Sequence, residues 1–160
     1  MKTLIFYRTH HGTTEYLAEV LKQKLHGEVD TVNLKKNSSP QLEKYSSVII
    51  GGSIHAGNIQ KSIKKFCSEN SEVLKSKKLG LYLCCMEEGE TANKQFSEAF
   101  PEDLREKSVA NGLFGGQFLI EKMNFFEKMI IKQIANIEKS ISKIDESAIE
   151  NFVTKFNGEK

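Results

Sequence analysis

The chain has no tryptophan, only two prolines in 160 residues and only three cysteines. Scarce proline leaves long stretches free to form unbroken helix or strand, because proline removes a backbone donor and fixes φ. Cys67, Cys84 and Cys85, two of them adjacent, make neither a disulfide framework nor a C-x-x-C pair. That excludes a zinc ribbon or a thioredoxin-type dithiol and fits a reducing cytoplasm. No uncharged run long enough to span a membrane occurs, and Met1 to Tyr7 runs straight into an apolar strand pattern. Neither a transmembrane helix nor a signal peptide is therefore expected. An excess of one charge is also lacking: 23 basic against 21 acidic residues leave +2, well interleaved. A nucleic-acid interface needs a concentrated basic face, so that partner class is not expected, and the lysines between Lys75 and Lys78 read as solvated surface.

What is present is alternation. Five short apolar, β-branched or aromatic runs, at about residues 2–8, 29–34, 47–53, 79–85 and 109–118, are separated by longer helical patterns. This predicts an α/β domain with a parallel sheet covered on both faces, and the length suits a single domain over 1–160. Leu17, Val20, Leu21 and Leu25 recur at helical spacing after the first run; Ile59, Ile63, Phe66 and Cys67 do so after the third. Cys67 thus reads as a small buried hydrophobe. A weaker helix over 91–100 ends near Pro101. Two helices follow the fifth run, at about 121–140 and 146–157, with Asp145 as N-cap of the second. In the former, Met123, Phe126, Ile130, Ile134, Ile137 and Ile141 form one stripe, widened by Phe125, Met129 and Ile131. Such a width fits either a well-buried helix or one that also meets membrane, quinone or a partner subunit.

In open parallel sheets, ligands collect at the carboxyl ends of the strands. The loop Thr9-His10-His11-Gly12-Thr13-Thr14 joins a strand to a helix there, offering hydroxyls, one glycine for close approach and exposed helix N–H groups. It has no lysine, and neither a Walker nor a dinucleotide glycine pattern is present, so the loop suits a mononucleotide monoester such as FMN. A second loop, Ser53-Ile54-His55-Ala56-Gly57-Asn58, follows the third strand. A third, Cys85-Met86-Glu87-Glu88-Gly89-Glu90, follows the fourth and would place carboxylates beside a ligand or simply at a helix start. The third strand ends in Gly51-Gly52-Ser53 without the aspartate of a receiver domain, and no cysteine begins a C-x5-R phosphatase signature. His10 and His11 are adjacent and without a helical third ligand, so no metal is expected. Cys84 and Cys85 should point to opposite sheet faces.

Thr9-x-His11-Gly12-x-Thr14, followed by Glu15, resembles the flavodoxin phosphate loop, with His11 in place of a central hydroxyl residue. The resemblance implies a flavodoxin-like three-layer sandwich, strand order 2-1-3-4-5, with an extra helix before the C-terminal one. It also implies FMN held by the first loop and flanked by the second and third. Gly51-Gly52-Ser53-Ile54-x-x-Gly57, followed by Phe118 and the apolar stretch from Met123 to Ile134, is similar to the quinone-linked, flavodoxin-like protoporphyrinogen oxidases. That likeness implies dehydrogenation of protoporphyrinogen IX, electrons passing to a quinone, and contact with the membrane surface through the Met123 to Ile141 helix. A soluble electron carrier and a binding module without flavin chemistry are the alternatives. No side-chain acid or base is expected, since a flavin carries the redox step itself.

Overall fold

The computed structural model describes residues 2–135 and 139–159. The chain opens with β1 (Lys2–Tyr7), α1 (Thr13–Lys24) and β2 (Glu28–Asn33), then β3 (Ser47–His55) and the two-residue β4 (Asn58–Ile59). Next come α2 (Lys61–Glu69), α3 (Ser71–Lys75), β5 (Lys78–Cys84), α4 (Gly89–Ala99) and α5 (Glu102–Lys107). The last part comprises β6 (Ala110–Leu113), β7 (Gly115–Phe118), a single 3-10 turn (Ile120–Lys122), α6 (Phe125–Ala135), β8 (Ile141–Ile144) and α7 (Glu146–Asn157).

The main sheet runs β2-β1-β3-β5-β6 with every neighbouring pair parallel, which is the expected order once the short β4 is set aside. Side chains alternate across it. Leu4 and Phe6 join the core under α2 to α5, while Ile5 and Tyr7 join the core under α1 and α7. Cys84 and Cys85 divide between the same two faces, as period 2 requires. Cys67 is wholly buried. β4 folds back on the end of β3 by a two-residue turn, Ala56 and Gly57, both at positive φ. Two left-handed residues in sequence match the twist of the paired strands, so the turn aims the second loop at the sheet's carboxyl edge. Asp145 caps α7 as expected, accepting from the Ala148 N–H at 2.9 Å. The short helices α3 and α5 carry too few residues for a periodic signal and were not expected from the sequence.

The run read as one strand over 109–118 is two. Phe114 still hydrogen-bonds to Leu83 O, but Gly115 turns at φ +73°, and β7 leaves the parallel sheet to pair antiparallel with β8. A Cβ on Gly115 would stand 1.8 Å from the Lys143 carbonyl oxygen, so only glycine allows this departure. The helix expected over 121–140 is shorter. Within the described residues it spans Phe125–Ala135; Met123 precedes it, Ile141 belongs to β8, and Ile137 lies outside the described residues. Its start is fixed by a reciprocal cap, with Glu127 N–H donating to Asn124 Oδ1 and Asn124 N–H donating to the Glu127 carboxylate. Ile141 fits a helical count by accident, for Ile141-Ser142-Lys143-Ile144 is the ladder partner of Gly115–Phe118. Of the two readings of the helix's apolar width, full burial does not hold: Phe125 and Phe126 are 71% and 76% exposed.

Gly115→Ala should lower stability by about 2–4 kcal/mol, combining left-handed strain with a backbone clash. Gly57→Ala, at φ +78° with nothing within 4 Å of the added methyl, should cost only about 1 kcal/mol. Urea denaturation of the two variants checks this; equal losses would contradict the account of β7.

Candidate functional site: a cleft at the carboxyl edge of the sheet

The ends of β1, β3 and β5 open into a cleft of about 410 Å³. Three loops and the segment after β7 line it. Of the residues expected at the site, Thr9, His10, His11, Thr13, Thr14, Ser53, Ile54, His55, Ala56, Gly57, Cys85, Met86 and Glu87 border the cleft. Gly12 is the N-cap of α1, Asn58 sits in β4, and Gly89 begins α4; these three are not among the residues that line it. Cys84, Gln95, Gly116, Gln117, Met123, Glu127, Ile130 and Ile131 do border it and were not expected. Most of the latter come from β7 and α6, whose placement depends on the turn at Gly115. That turn had a visible signal in Gly115-Gly116, which the strand pattern overrode.

The first loop is tied from within and from both sides. Gly12 takes φ +97°, and its N–H donates to Thr9 Oγ1 at 2.9 Å, so the loop is tied without using the first-turn amides of α1. Those amides have no carbonyl four residues back to bind and face the helix's positive end. Thr13 Oγ1 donates to Gln117 Oε1 at 3.3 Å, linking the loop to β7. Tyr82, fully buried, donates its hydroxyl to Thr14 O at 3.0 Å and fixes the loop from below.

The inner wall is poor in polar partners. Among the described residues, Gln95 Oε1 is buried without a hydrogen bond, Thr14 Oγ1 meets the Cys84 thiol, and His11 Nε2 stands 3.4 Å from Glu127 Oε1, beyond good hydrogen-bond geometry; all three residues line the cleft. Buried polar atoms so weakly satisfied cost about 1–3 kcal/mol each, which a polar ligand in the cleft would offset.

The first and second loops are stapled by Gln60, which donates to Ser53 Oγ at 2.7 Å and Arg8 O at 3.3 Å and accepts from Ser53 N–H at 3.1 Å. Nothing in the pattern of the sequence singles out this glutamine. His10 stacks on His55 with ring centroids 4.6 Å apart. His11 Nε2 faces Glu127 Oε1 at 3.4 Å, which brings α6 over the first loop. His11, His55 and Glu127 offer ligand atoms within 4.8 Å of one another, a grouping of three distant segments that adjacency of His10 and His11 did not foreshadow. Both cleft cysteines are thiols: burial pushes Cys84 up to about 12 and Cys85 up to about 11. Of the acidic residues in the third loop, Glu87 borders the cleft while Glu88 pairs with Lys143 at 3.2 Å.

Burial, then the neighbouring charges of His55, Arg8 and His11, hold the His10 imidazole below its ordinary histidine value. The unfolded chain therefore binds a proton at this residue before the folded chain does, and stability falls as pH drops through the ordinary histidine range. Between about pH 7.5 and about pH 5.5, the ligand-free protein should lose more thermal stability than His10→Gln does. Parallel melting curves across that range would refute the assignment.

The comparisons agree with this architecture. A flavodoxin from Streptococcus pneumoniae superposes with a TM-score of 0.61 at 14% identity, covering 99% of this chain and 97% of that one. Protoporphyrinogen IX dehydrogenase (quinone) of Escherichia coli is 35% identical over 86 residues, 51% of this chain, and the match spans about half, 47%, of that relative's length. The protein of the same name from Leishmania major is 21% identical over 171 aligned positions, covering 97% of this chain and 74% of its own. Residues 4–145 match the flavodoxin domain, and with that domain covering most of its length the chain belongs to the flavodoxin family.

Proposed function

We propose that the cleft binds FMN and that the protein is a flavodoxin-like oxidoreductase whose reaction is the dehydrogenation of protoporphyrinogen IX, with electrons passed to a quinone. The observation that carries the cofactor assignment is the set of buried, weakly satisfied polar atoms on Thr14, His11 and Gln95 around one cleft, at the N-terminus of α1. These are donors and acceptors spaced along the cleft wall, and they suit a phosphate at one end with a flat heterocycle beyond it. The substrate assignment rests on the relatives that bear the dehydrogenase name.

In this reading the phosphate lies against Thr9, His10, His11, Gly12, Thr13 and Thr14, where the helix dipole and the Thr14 hydroxyl receive it. The second loop, Ser53 to Asn58, and the third, with Cys85, Met86, Glu87 and Gly89, flank the ring. FMN, when bound, supplies the acceptance and release of hydride equivalents. The protein's part is placement and exclusion of water: Gln60 keeps the first two loops in register, and Met123, Ile130 and Ile131 make an apolar wall toward the opening. Neither cleft thiol is ionised, so neither competes as a nucleophile. Phe125, Phe126, Met129 and Ile130 stand exposed on α6, the helix that lines the cleft, a surface suited to an apolar quinone or to peripheral contact with a membrane. No helix among the described residues is long and apolar enough to cross one. An electron-carrier role is the second reading, favoured by the match to a flavodoxin over nearly the full length of both chains.

Thr14→Val tests the cofactor site. It keeps the β-branched shape and removes a buried hydroxyl whose protein contact is the weakly accepting Cys84 thiol, so the ligand-free fold should keep nearly all its stability. FMN affinity should fall roughly tenfold or more, measured by quenching of flavin fluorescence; unchanged affinity would sink the loop assignment. The reaction is tested by anaerobic addition of protoporphyrinogen IX to the FMN-loaded protein and then of a menaquinone analogue. Bleaching of the flavin followed by its recovery is expected. A flavin that stays oxidised with porphyrinogen, yet is reduced by a flavodoxin reductase, would transfer the assignment to the carrier reading.

A further inference from the structure

The first loop contains no lysine, yet the fold brings one to it. A Cβ built on Gly12 would lie 3.2 Å from Lys122 Nζ, so the ammonium rests against the backbone of the loop's glycine from a position 110 residues further along the chain. Lys122 closes the 3-10 turn Ile120–Lys122, and that turn is held firmly. Its own N–H donates to Leu119 O, Ile120 N–H donates to Ser140 Oγ at 3.0 Å, and the Ser140 hydroxyl donates to Glu121. Met123, next in sequence, is buried against the cleft wall. Lys122 makes no ion pair among the described residues, and the nearby Glu121 is engaged by Ser140.

We infer that Lys122 is the cationic partner of the ligand's phosphate, delivered to the phosphate loop by the segment between β7 and α6. This rests on the FMN reading of the cleft. A phosphate monoester near neutral pH carries between one and two negative charges, whereas the loop offers only neutral donors and the partial charge of one helix end. His11 stands at the central position of the loop, and its Nε2 lies 3.4 Å from the Glu127 carboxylate, which competes for it. An ammonium on a four-carbon stem restores a donor and adds a full charge, and it needs no fixed fork geometry to do so. The same contact ties two parts of the site together: the segment that walls the cleft is latched to the loop through the ligand's phosphate.

Riboflavin separates this role from every other, because it has the same ring and ribityl chain without the phosphate. Lys122→Met keeps the apolar stem and removes the charge; Lys122→Arg keeps the charge. Dissociation constants for FMN and riboflavin are measured by fluorescence quenching for each protein, at low and at high salt. Lys122→Met should weaken FMN roughly ten- to a hundredfold, leave riboflavin unchanged, and flatten the salt dependence of FMN binding; Lys122→Arg should restore most of the loss. Equal weakening of both flavins would make Lys122 a structural prop and overturn the proposal, as would wild-type affinity for FMN in Lys122→Met. If the unaltered protein takes up neither flavin, the cofactor assignment itself fails, and this inference with it.

Discussion

A buried phenol holds the site in place. Tyr82 is fully buried, and its hydroxyl donates to Thr14 O at 3.0 Å. Enclosure raises its pKa well above the usual tyrosine value, so it is a neutral donor at any working pH. The ring needs room, and β3 supplies it at Gly51: any Cβ there would stand 2.0 Å from the ring. On its other side the ring stacks on Phe114 at 5.1 Å, and Phe114 meets Phe152 of α7 edge-on at 5.3 Å. A chain of aromatic contacts thus runs from the first turn of α1 to the last helix. The orientation of the first turn of α1 is therefore set by the core as a whole, and a local change in the loop cannot easily rotate it.

The same chain explains where β7 goes. Phe114 must turn inward to complete the aromatic stack, its N–H still paired with Leu83 O, and the following residue has to reverse direction immediately. Gly115 does this at positive φ, and Cys85 N–H bonds its carbonyl at 3.0 Å. β7 then runs beside the cleft instead of continuing the sheet, which brings Gln117 to Thr13 and carries the next turn over the first loop. A packing demand in the core and a single glycine together decide that a third side of the cleft exists.

Much of this was legible from residue order alone. The parallel sheet and its strand order follow from five apolar runs, because a strand buried on both faces has to be apolar throughout, as Val48-Ile49-Ile50 is. The three loops follow from the rule that connections at the carboxyl ends gather ligands. What stayed hidden was contributed by residues whose role depends on distant contacts. Gln60 is an ordinary polar residue until the fold sets it between Arg8 and Ser53. Glu127 fits a helix start, and only the fold turns its carboxylate to His11. The stretch from 121 to 141 misled for a physical reason: isoleucines spaced by three and four satisfy a helix, but strand pairing with Gly115–Phe118 offers Ile141 to Ile144 a complete backbone ladder that periodicity does not register.

The width of the apolar face on α6 has its own logic. A helix of 11 residues that packed on one neighbour would need a single stripe, yet Ile130 and Ile131 face the cleft while Phe125, Phe126 and Met129 point to solvent. The cleft side is satisfied by what fills the cleft. The outer side has no partner among the described residues, and two phenylalanines exposed by about three quarters are more apolar surface than solubility favours. Because Glu127, Ile130 and Ile131 of the same helix line the cleft, whatever covers those rings touches the element that forms the cleft's wall, so a contact on the outer face and the shape of the inner one cannot vary independently.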